Sequence, residues 1–551
     1  MNKPRAQRLN MTESVRDVID RVACSHPDKP YLIDPNAASA LTYAQLQEQA
    51  RAVASFIAEQ GVERGASVAY AMGNGHCCAV SLLGIMYGGY RAVAINLVAG
   101  RDVIAYVLAH SQTALVLSSE EHAPLIVEAL NCDAYVDDVS ESSKDANATV
   151  ENHADTNSNS NAIAHPKVLH IALADINQWV QRYVGEVGAQ PGASDDALLM
   201  YTSGTTGRPK GVTLSHSNVL AGGQNVVTGH ELTEHDRALC VLPLYHINGL
   251  CVTLFGPLTS LGSLVLPKSF STSAFWNLID EHQCTWFSVV PTQIAYLLRD
   301  ADNQETSEKK QGAAAVTARA HLRFGRSASA PLSPDMHGSF EKRFAVPIIE
   351  TMGLTETAAQ ILSNPHPPGV RKLGSPGLPV GDEVSIVDSQ LNPVPQGEEG
   401  ELVVRGPNVM QRYFRNPVAT ADALTHDGWL RTGDLGRKDE QGYVFITGRL
   451  KELIIKGGEN IAPREIDDAL YQFADVVEAA AFARPCDDFG QRVEAAVVLK
   501  VASELIESDL LEACMQRVGK FKSPDRIHFM TELPKGPSGK IQRAKIGDLI
   551  C

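Results

Sequence analysis

Tyr201-Thr202-Ser203-Gly204-Thr205-Thr206-Gly207-Arg208-Pro209-Lys210-Gly211 is the stretch that says most about this chain. Four Ser/Thr hydroxyls, three glycines and two cations fall within eleven residues, directly after the apolar strand end Leu198–Met200. Glycines let backbone amides approach a ligand, hydroxyls donate hydrogen bonds and Lys210 supplies charge. Together they suit a loop wrapped around a polyphosphate. A polar hairpin uses the same residue types, but a turn needs only about two to five of them. It is not a Walker loop, which requires Gly-Lys-Ser/Thr, because Lys210 precedes Gly211. No Gly-x-Gly-x-x-Gly follows a strand either.

Working outward, the first ~130 residues alternate helical patterns with short apolar runs, as α/β layers around a largely parallel sheet do. Ala50 to Gln60 reads as an amphipathic helix, and Ser67–Met72, Ala92–Ile95 and Ala114–Leu117 as buried strands. Val139 to Asn161 is rich in Ser, Asn, Asp and Thr. It reads as a flexible surface insertion that buries too little area to offset its ordering entropy. Gln304 to Ala318 is a second, weaker insertion candidate.

From Gly448 the texture changes. Pro463 opens a helix at the permitted first turn, with Ile466, Leu470 and Phe473 at helical spacing. Val476–Phe482 and Ala495–Val501 read as strands and Ser508–Val518 as a helix, an α+β segment large enough for a small second domain. Two or more domains are expected in any case, since single cores stop growing near ~250–300 residues and this chain has 551.

With 48 basic and 64 acidic side chains the formal charge is −16, which argues against a nucleic-acid or anionic-membrane surface. A local cluster of donors still suffices for a phosphate. No window approaches the ~20 consecutive apolar residues of a membrane span. The polar stretch Met1 to Val15 lacks a secretory pattern, and Leu549-Ile550-Cys551 is no peroxisomal tripeptide. Ten cysteines without a C-x-x-C fit neither a metal framework nor a disulfide one, so a reducing cytoplasm is expected.

The Tyr201–Gly211 segment closely resembles the phosphate-binding signature of the adenylate-forming superfamily: acyl-CoA synthetases, adenylation domains of peptide synthetases and beetle luciferase. Four further motifs follow in family order. Gly353-Leu354-Thr355-Glu356 resembles G-x-T-E, and Trp429-Leu430-Arg431-Thr432-Gly433-Asp434 resembles W-x-x-T-G-D. Gly448-Arg449-Leu450-Lys451-Glu452 resembles the hinge motif, and Pro537-Ser538-Gly539-Lys540-Ile541 the catalytic-lysine motif.

The resemblance implies a large α/β domain of layered sheets over residues 1–447, a hinge at 448–451 and a small mobile α+β domain over 452–551. It implies that Thr202, Ser203, Gly204, Thr205, Thr206, Gly207 and Lys210 hold ATP. Thr205 and Glu356, with Thr355 beside them, would hold Mg²⁺, a hard cation that takes oxygen ligands. Asp434 would accept from the ribose hydroxyls, with Arg449 donating to the same region. Lys540 would reach the carboxylate and α-phosphate during adenylation. Rotation about Lys451 would then present Gly457 and Gly458 to coenzyme A, although a simple turn explains those glycines as well. Phe521-Lys522-Ser523-Pro524 resembles a segment near the CoA phosphates. The chain departs from the pattern at Met352, where the family usually carries an aromatic that stacks on adenine; a thioether also packs on a base face.

The acyl pocket is expected around His246, Arg326-Ser327 and Ala359. A structural reading of His246, and an outward salt bridge for Arg326, stay open beside this. The texture is closest to the oxalate–CoA ligase branch, through Arg326–Ala330, Ser363-Asn364-Pro365 and Lys372–Gly377. Ala359 stands where that branch carries a histidine, which suggests an acid slightly longer than oxalate, such as malonate or sulfoacetate. The alternatives are an aryl or fatty acid, or a carrier-protein acceptor in place of CoA.

Overall fold

A computed structural model describes residues 12–132, 166–185, 188–202, 208–308, 319–473, 475–500, 503–536 and 541–550. The expected insertion at 139–161 lies outside the described residues. The chain divides into two compact units. One comprises Met1–Ser288, Leu354–Gln360 and Pro407–Ala421; the other comprises Val289–Gly353, Ile361–Gly406 and Asp422–Cys551.

The first unit holds a seven-stranded sheet. Its spatial order is Arg412–Tyr413, Lys210–Ser215, Asp196–Thr202, Arg91–Ala94, Ser67–Ala71, Thr113–Ser118 and Lys167–His170. The pairings from Asp196–Thr202 onward are parallel, whereas Lys210–Ser215 returns antiparallel and Arg412–Tyr413 extends that edge. All five residues of Ser67–Ala71 are buried, as a strand covered on both faces requires. Ile104, Leu108 and Ile126 pack on Val93 and Val116 to form its core.

The three strands expected here are present within a residue or two. The helix runs Tyr43–Glu59 and so starts seven residues before Ala50. Thr42 and Gln45 form a capping box: the Thr42 hydroxyl accepts from the Gln45 amide at 3.3 Å, and the Gln45 side chain accepts from the Thr42 amide at 2.9 Å.

Within the second unit, Phe324–Ser327 pairs parallel with Ile348–Leu354. Glu383–Val387, Gly400–Arg405, Leu430–Lys438 and Val444–Arg449 form an antiparallel sheet in that order. A five-stranded sheet built on Val476–Cys486 and Gly490–Leu499 follows, covered by the helices Pro463–Leu470 and Glu507–Lys522. Ile466 and Leu470 are buried there, while Phe473 lies past the helix end and packs on the rim of the core.

Both strands run longer than their apolar runs suggested. The hairpin continues through Arg484↔Arg492 to Cys486↔Gly490, where ladder hydrogen bonds, and not burial, sustain the pairing. The helix Pro291–Glu308 extends five residues into the 304–318 segment read as an insertion; 309–318 lie outside the described residues. Among the described residues no helix is long and apolar enough to cross a membrane.

Candidate active site

At the end of the strand Asp196–Thr202, Thr202 stands opposite Lys210 across the antiparallel ladder. Both flanks of the phosphate loop are thereby fixed. Ser203, Gly204, Thr205, Thr206 and Gly207 lie outside the described residues. Gly211 is closely approached: a Cβ there would stand 3.0 Å from Leu199 Cδ1 and 3.2 Å from Tyr201 Cζ, so those side chains would have to give by a few tenths of an ångström.

Behind the loop, the Tyr201 hydroxyl lies 2.8 Å from His110 Nδ1. Burial, aided by the Arg415 and Arg208 charges, pushes the His110 pKa down to about 4, and burial raises that of Tyr201. The pair is thus a neutral imidazole accepting from a protonated phenol near neutral pH. Arg208 lies 5.4 Å from the Tyr106 ring centroid, which ties the far flank to the same aromatic group.

Thr355–Thr357 forms a single 3₁₀ turn after the strand Ile348–Leu354. Its backbone is held from the 407–414 segment: Met410 N–H donates to the Glu356 carbonyl at 2.7 Å, and the Asn408 side-chain amide to the Thr357 carbonyl at 2.8 Å. The half-buried Glu356 accepts from the Tyr413 hydroxyl through Oε1 at 2.8 Å, and the Tyr413 ring lies 4.9 Å from Lys210 Nζ. The structure therefore brings Lys210 and Glu356 to one tyrosine that no motif marked.

Ala358 and Ala359 follow with φ of +44° and +90°, left-handed backbone that costs an alanine about 1–3 kcal/mol unless its surroundings enforce it. Gly222 makes room for it, since its lack of a Cβ lets the Ala358 carbonyl lie flush against the helix. Among the described residues no three His, Cys, Asp or Glu side chains group as a metal cage. One carboxylate, already engaged at one oxygen, fits an ion such as Mg²⁺ that keeps water and phosphate as its other ligands.

In the second unit, Asp434 and Arg449 are direct register partners on neighbouring strands. They form an ion pair at 2.6 Å, with Asp434 buried and Arg449 exposed. Glu401 sets the turn before Asp434: it accepts from the Gly433 amide at 3.1 Å and from Arg431 at 2.7 Å. A cavity of about 300 Å³ opens beside the pair, lined also by Ser329, Glu350, Met352 and Arg543. Met352 thus lines the same cavity as the two motif residues.

Glu350, which sequence reasoning passed over, is fully buried. It accepts from the Leu332 amide at 3.3 Å through Oε1, has no partner at Oε2 among the described residues, and has its pKa raised by burial. Arg326 is 2% exposed, on the strand Phe324–Ser327, so it is no outward salt bridge. Burial pushes its pKa down to about 9. Ser327 beside it is buried as well. His246, in the first unit, is half-buried, and its backbone begins the turn into the π-helix Asn248–Phe255.

The C-terminal motifs separate into two places. Lys540 lies outside the described residues, but Lys535 and Ile541 on either side of that segment bridge each other and line the 300 Å³ cavity. Arg543 anchors this end to Asp467, to the Ala481 carbonyl at 2.9 Å and to Glu452 at 3.2 Å. Lys451 is exposed in the 3₁₀ turn Leu450–Glu452.

Gly457 and Gly458 form the two-residue turn between Ile454–Lys456 and Glu459–Ile461, with φ of +59° and +86°. The positive φ of the turn by itself favours glycine at both positions. The buried Lys456 ammonium donates to the Phe521 carbonyl at 3.1 Å, which joins this hairpin to the Phe521–Pro524 segment.

The AMP-binding enzyme family matches residues 19–414, and its C-terminal domain matches 465–540. The chain is 44% identical to sulfoacetate–CoA ligase of Cupriavidus necator over 95% of each chain. It is 32% identical to oxalate–CoA ligase of Arabidopsis thaliana over 97% of this chain and 98% of that one. The ATP-bound crystal structure of MatB from Rhodopseudomonas palustris superposes with a TM-score of 0.82 at 26% identity, covering 98% of this chain and 100% of that one. The chain belongs to the AMP-binding enzyme family: it is an acyl-CoA synthetase of the adenylate-forming superfamily.

Proposed function

We propose that the protein is an AMP-forming ligase that joins coenzyme A to a small acid carrying a second negative group, with sulfoacetate as the leading substrate and malonate and oxalate in the same class. The observation that carries this reading is the 44% identity, over 95% of both chains, to an enzyme named for sulfoacetate. Arg326 supports it. A guanidinium costs free energy to bury and offers a planar fork of donors, the chemistry that recognises a sulfonate or carboxylate. Ser327 and His246 add polar groups to this reading of the acyl site, and the small side chain of Ala359 leaves room for an acid longer than oxalate.

In the first half-reaction a carboxylate oxygen of the acid attacks the α-phosphorus of ATP, and the bond to the β-phosphate oxygen breaks. Acyl-adenylate and pyrophosphate result. Thr202, Lys210 and the glycine-rich loop between them hold the phosphates. Glu356 and Thr205 would hold Mg²⁺, which offsets phosphate charge when bound. Asp434, kept in place by Glu401 and Arg449, accepts from the ribose hydroxyls. Lys540 stabilises charge at the carboxylate and α-phosphate.

In the second half-reaction the CoA thiolate attacks the acyl carbon and AMP leaves. Residues 452–551 form the small domain in this account and turn about the 448–451 hinge. The turn Gly457–Gly458, with Lys456 and Phe521, then faces the pantetheine. The test is kcat/KM over sulfoacetate, malonate, oxalate, acetate and benzoate. Acids with two negative groups are expected to lead by a factor of roughly ten or more, the worth of one charged hydrogen bond. A lead for acetate or benzoate would overturn the substrate assignment.

A further inference from the structure

The two-residue strand Arg412–Tyr413 reaches into the first unit from 200 residues further along the chain. It pairs with Val212 and Thr213, immediately after the phosphate loop. Its footing is rigid. Phe414 N–H donates to the Gly211 carbonyl at 2.7 Å, Tyr413 N–H to the Thr420 hydroxyl at 3.0 Å, and Arg412 pairs with Asp196 at 2.7 Å. Arg91 pairs with the same Asp196 at 2.9 Å and stacks 4.4 Å from the Phe414 ring.

From this footing the Tyr413 side chain, 8% exposed, does two things at once. Its hydroxyl donates to Glu356 Oε1 at 2.8 Å, and its ring face lies 4.9 Å from Lys210 Nζ.

We propose that Tyr413 is a positioning residue for ATP adenylation, setting the Glu356 carboxylate through its hydroxyl and the Lys210 ammonium through its ring. The proposal rests on the reading that Glu356 serves Mg²⁺ and Lys210 the phosphates. Held at Oε1, the carboxylate keeps Oε2 for a cation and cannot swing onto Lys210. A direct Glu356–Lys210 ion pair would consume both charges that the nucleotide needs. The aromatic face seats Lys210 without neutralising it. One residue thereby keeps the phosphate-side cation and the metal-side carboxylate apart and aimed.

The test measures ATP binding to the full-length protein by titration calorimetry, without acid or CoA, once with Mg²⁺ and once with EDTA. The readout is the ratio of the two affinities. In Tyr413→Phe, which keeps the ring, the ratio is expected to fall about tenfold, the worth of a hydrogen bond to a charged group, with EDTA binding unchanged. Glu356→Gln should lower the ratio as much, and the double variant no further. Tyr413→Leu should in addition weaken binding in EDTA, because Lys210 loses its seat. A side chain that served packing alone would lower thermal stability and leave the ratio unmoved. An unchanged ratio in Tyr413→Phe, with a lowered one in Glu356→Gln, overturns the proposal and spares the Mg²⁺ reading. An unchanged ratio in Glu356→Gln overturns that reading, and the proposal with it.

Discussion

Gly222→Ala adds one methyl group to the middle of the helix His216–His230, and two opposing effects can be weighed there. In an open helix the change stabilises by about 1 kcal/mol, through intrinsic propensity. Here the new Cβ would stand 2.2 Å from the Ala358 carbonyl oxygen and 2.9 Å from the Ala358 Cβ, where real contacts do not fall below 3.0 Å. Helix and turn must therefore separate by at least 0.8 Å, the difference between 2.2 and 3.0 Å.

The helix cannot slide away freely. Asn225 donates to the Gln360 carbonyl at 3.2 Å, and Gln360 donates to the Asn225 carbonyl at 3.3 Å, so the same face is clamped one turn later. Overpacking of this kind costs about 1–3 kcal/mol, more than the propensity gain. The displaced backbone carries Glu356 two residues upstream, and a misplacement of about 1 Å at a reacting group costs roughly 100-fold in rate.

The assay pairs urea denaturation with kcat/KM for ATP, using Gly338→Ala as control. Gly338 also sits in a helix, Pro334–Phe344, but its added Cβ would meet nothing within 4 Å. The control should be neutral or slightly more stable, with unchanged kinetics. Gly222→Ala should be less stable and lose roughly two orders of magnitude in kcat/KM. A Gly222→Ala protein as stable and as active as its parent would refute the argument that this contact fixes the Thr355–Ala359 turn.

Acid should weaken the first unit through His216, whose Nδ1 accepts from Val15 N–H at 3.3 Å inside the core. Burial lowers its pKa from 6.5 to about 4, against opposing carboxylates. The unfolded chain then binds the extra proton between those values, so stability falls as pH drops from about 6.5 to 4, by about 3 kcal/mol in all. His216→Asn should flatten that slope in denaturation midpoints, though not abolish it, because His110 titrates in the same window; an unaltered slope would remove His216 from the account.

Arg326→Met should cut the preference for doubly charged over singly charged acids by roughly ten- to a hundredfold in kcat/KM. A loss shared equally by all acids would instead mark Arg326 as structural. Lys540→Ala should abolish acid-dependent pyrophosphate release yet spare transfer from a supplied acyl-adenylate to CoA. Equal loss of both half-reactions would contradict the two-orientation account of residues 452–551.

Local periodicity carried much of the fold. The strands at 67–71, 91–94 and 113–118 read correctly because each centres on a short apolar run that is mostly buried. It fell short at the charged extension of the Val476–Cys486 hairpin, where ladder hydrogen bonds sustain the pairing, and at the start of the Tyr43–Glu59 helix, where the Thr42 cap and the buried Tyr43 and Leu46 carry the helix seven residues further. Motif order singled out Glu356, Asp434 and Arg449. The residues that hold those side chains were not legible. Tyr413 reaches Glu356 from 57 positions away, Glu401 reaches Gly433 from 32, and His110 meets Tyr201 from 91. Such contacts are set by tertiary pairing, and nothing local to Tyr413 distinguishes it from any strand tyrosine. Glu350 was missed for the opposite reason, since a carboxylate between apolar strand residues reads as exposed and is instead buried beside a cavity.

Adenylation of a small acid with two negative groups before CoA enters can be measured by itself, as isotope exchange between pyrophosphate and ATP in the absence of CoA. Exchange is expected to depend on the acid, to be strongest with sulfoacetate or malonate and weak with acetate and benzoate, and to yield AMP with the acyl-CoA once CoA is added. Exchange that needs CoA, or that runs equally well with uncharged aryl and alkyl acids, would contradict the proposed function.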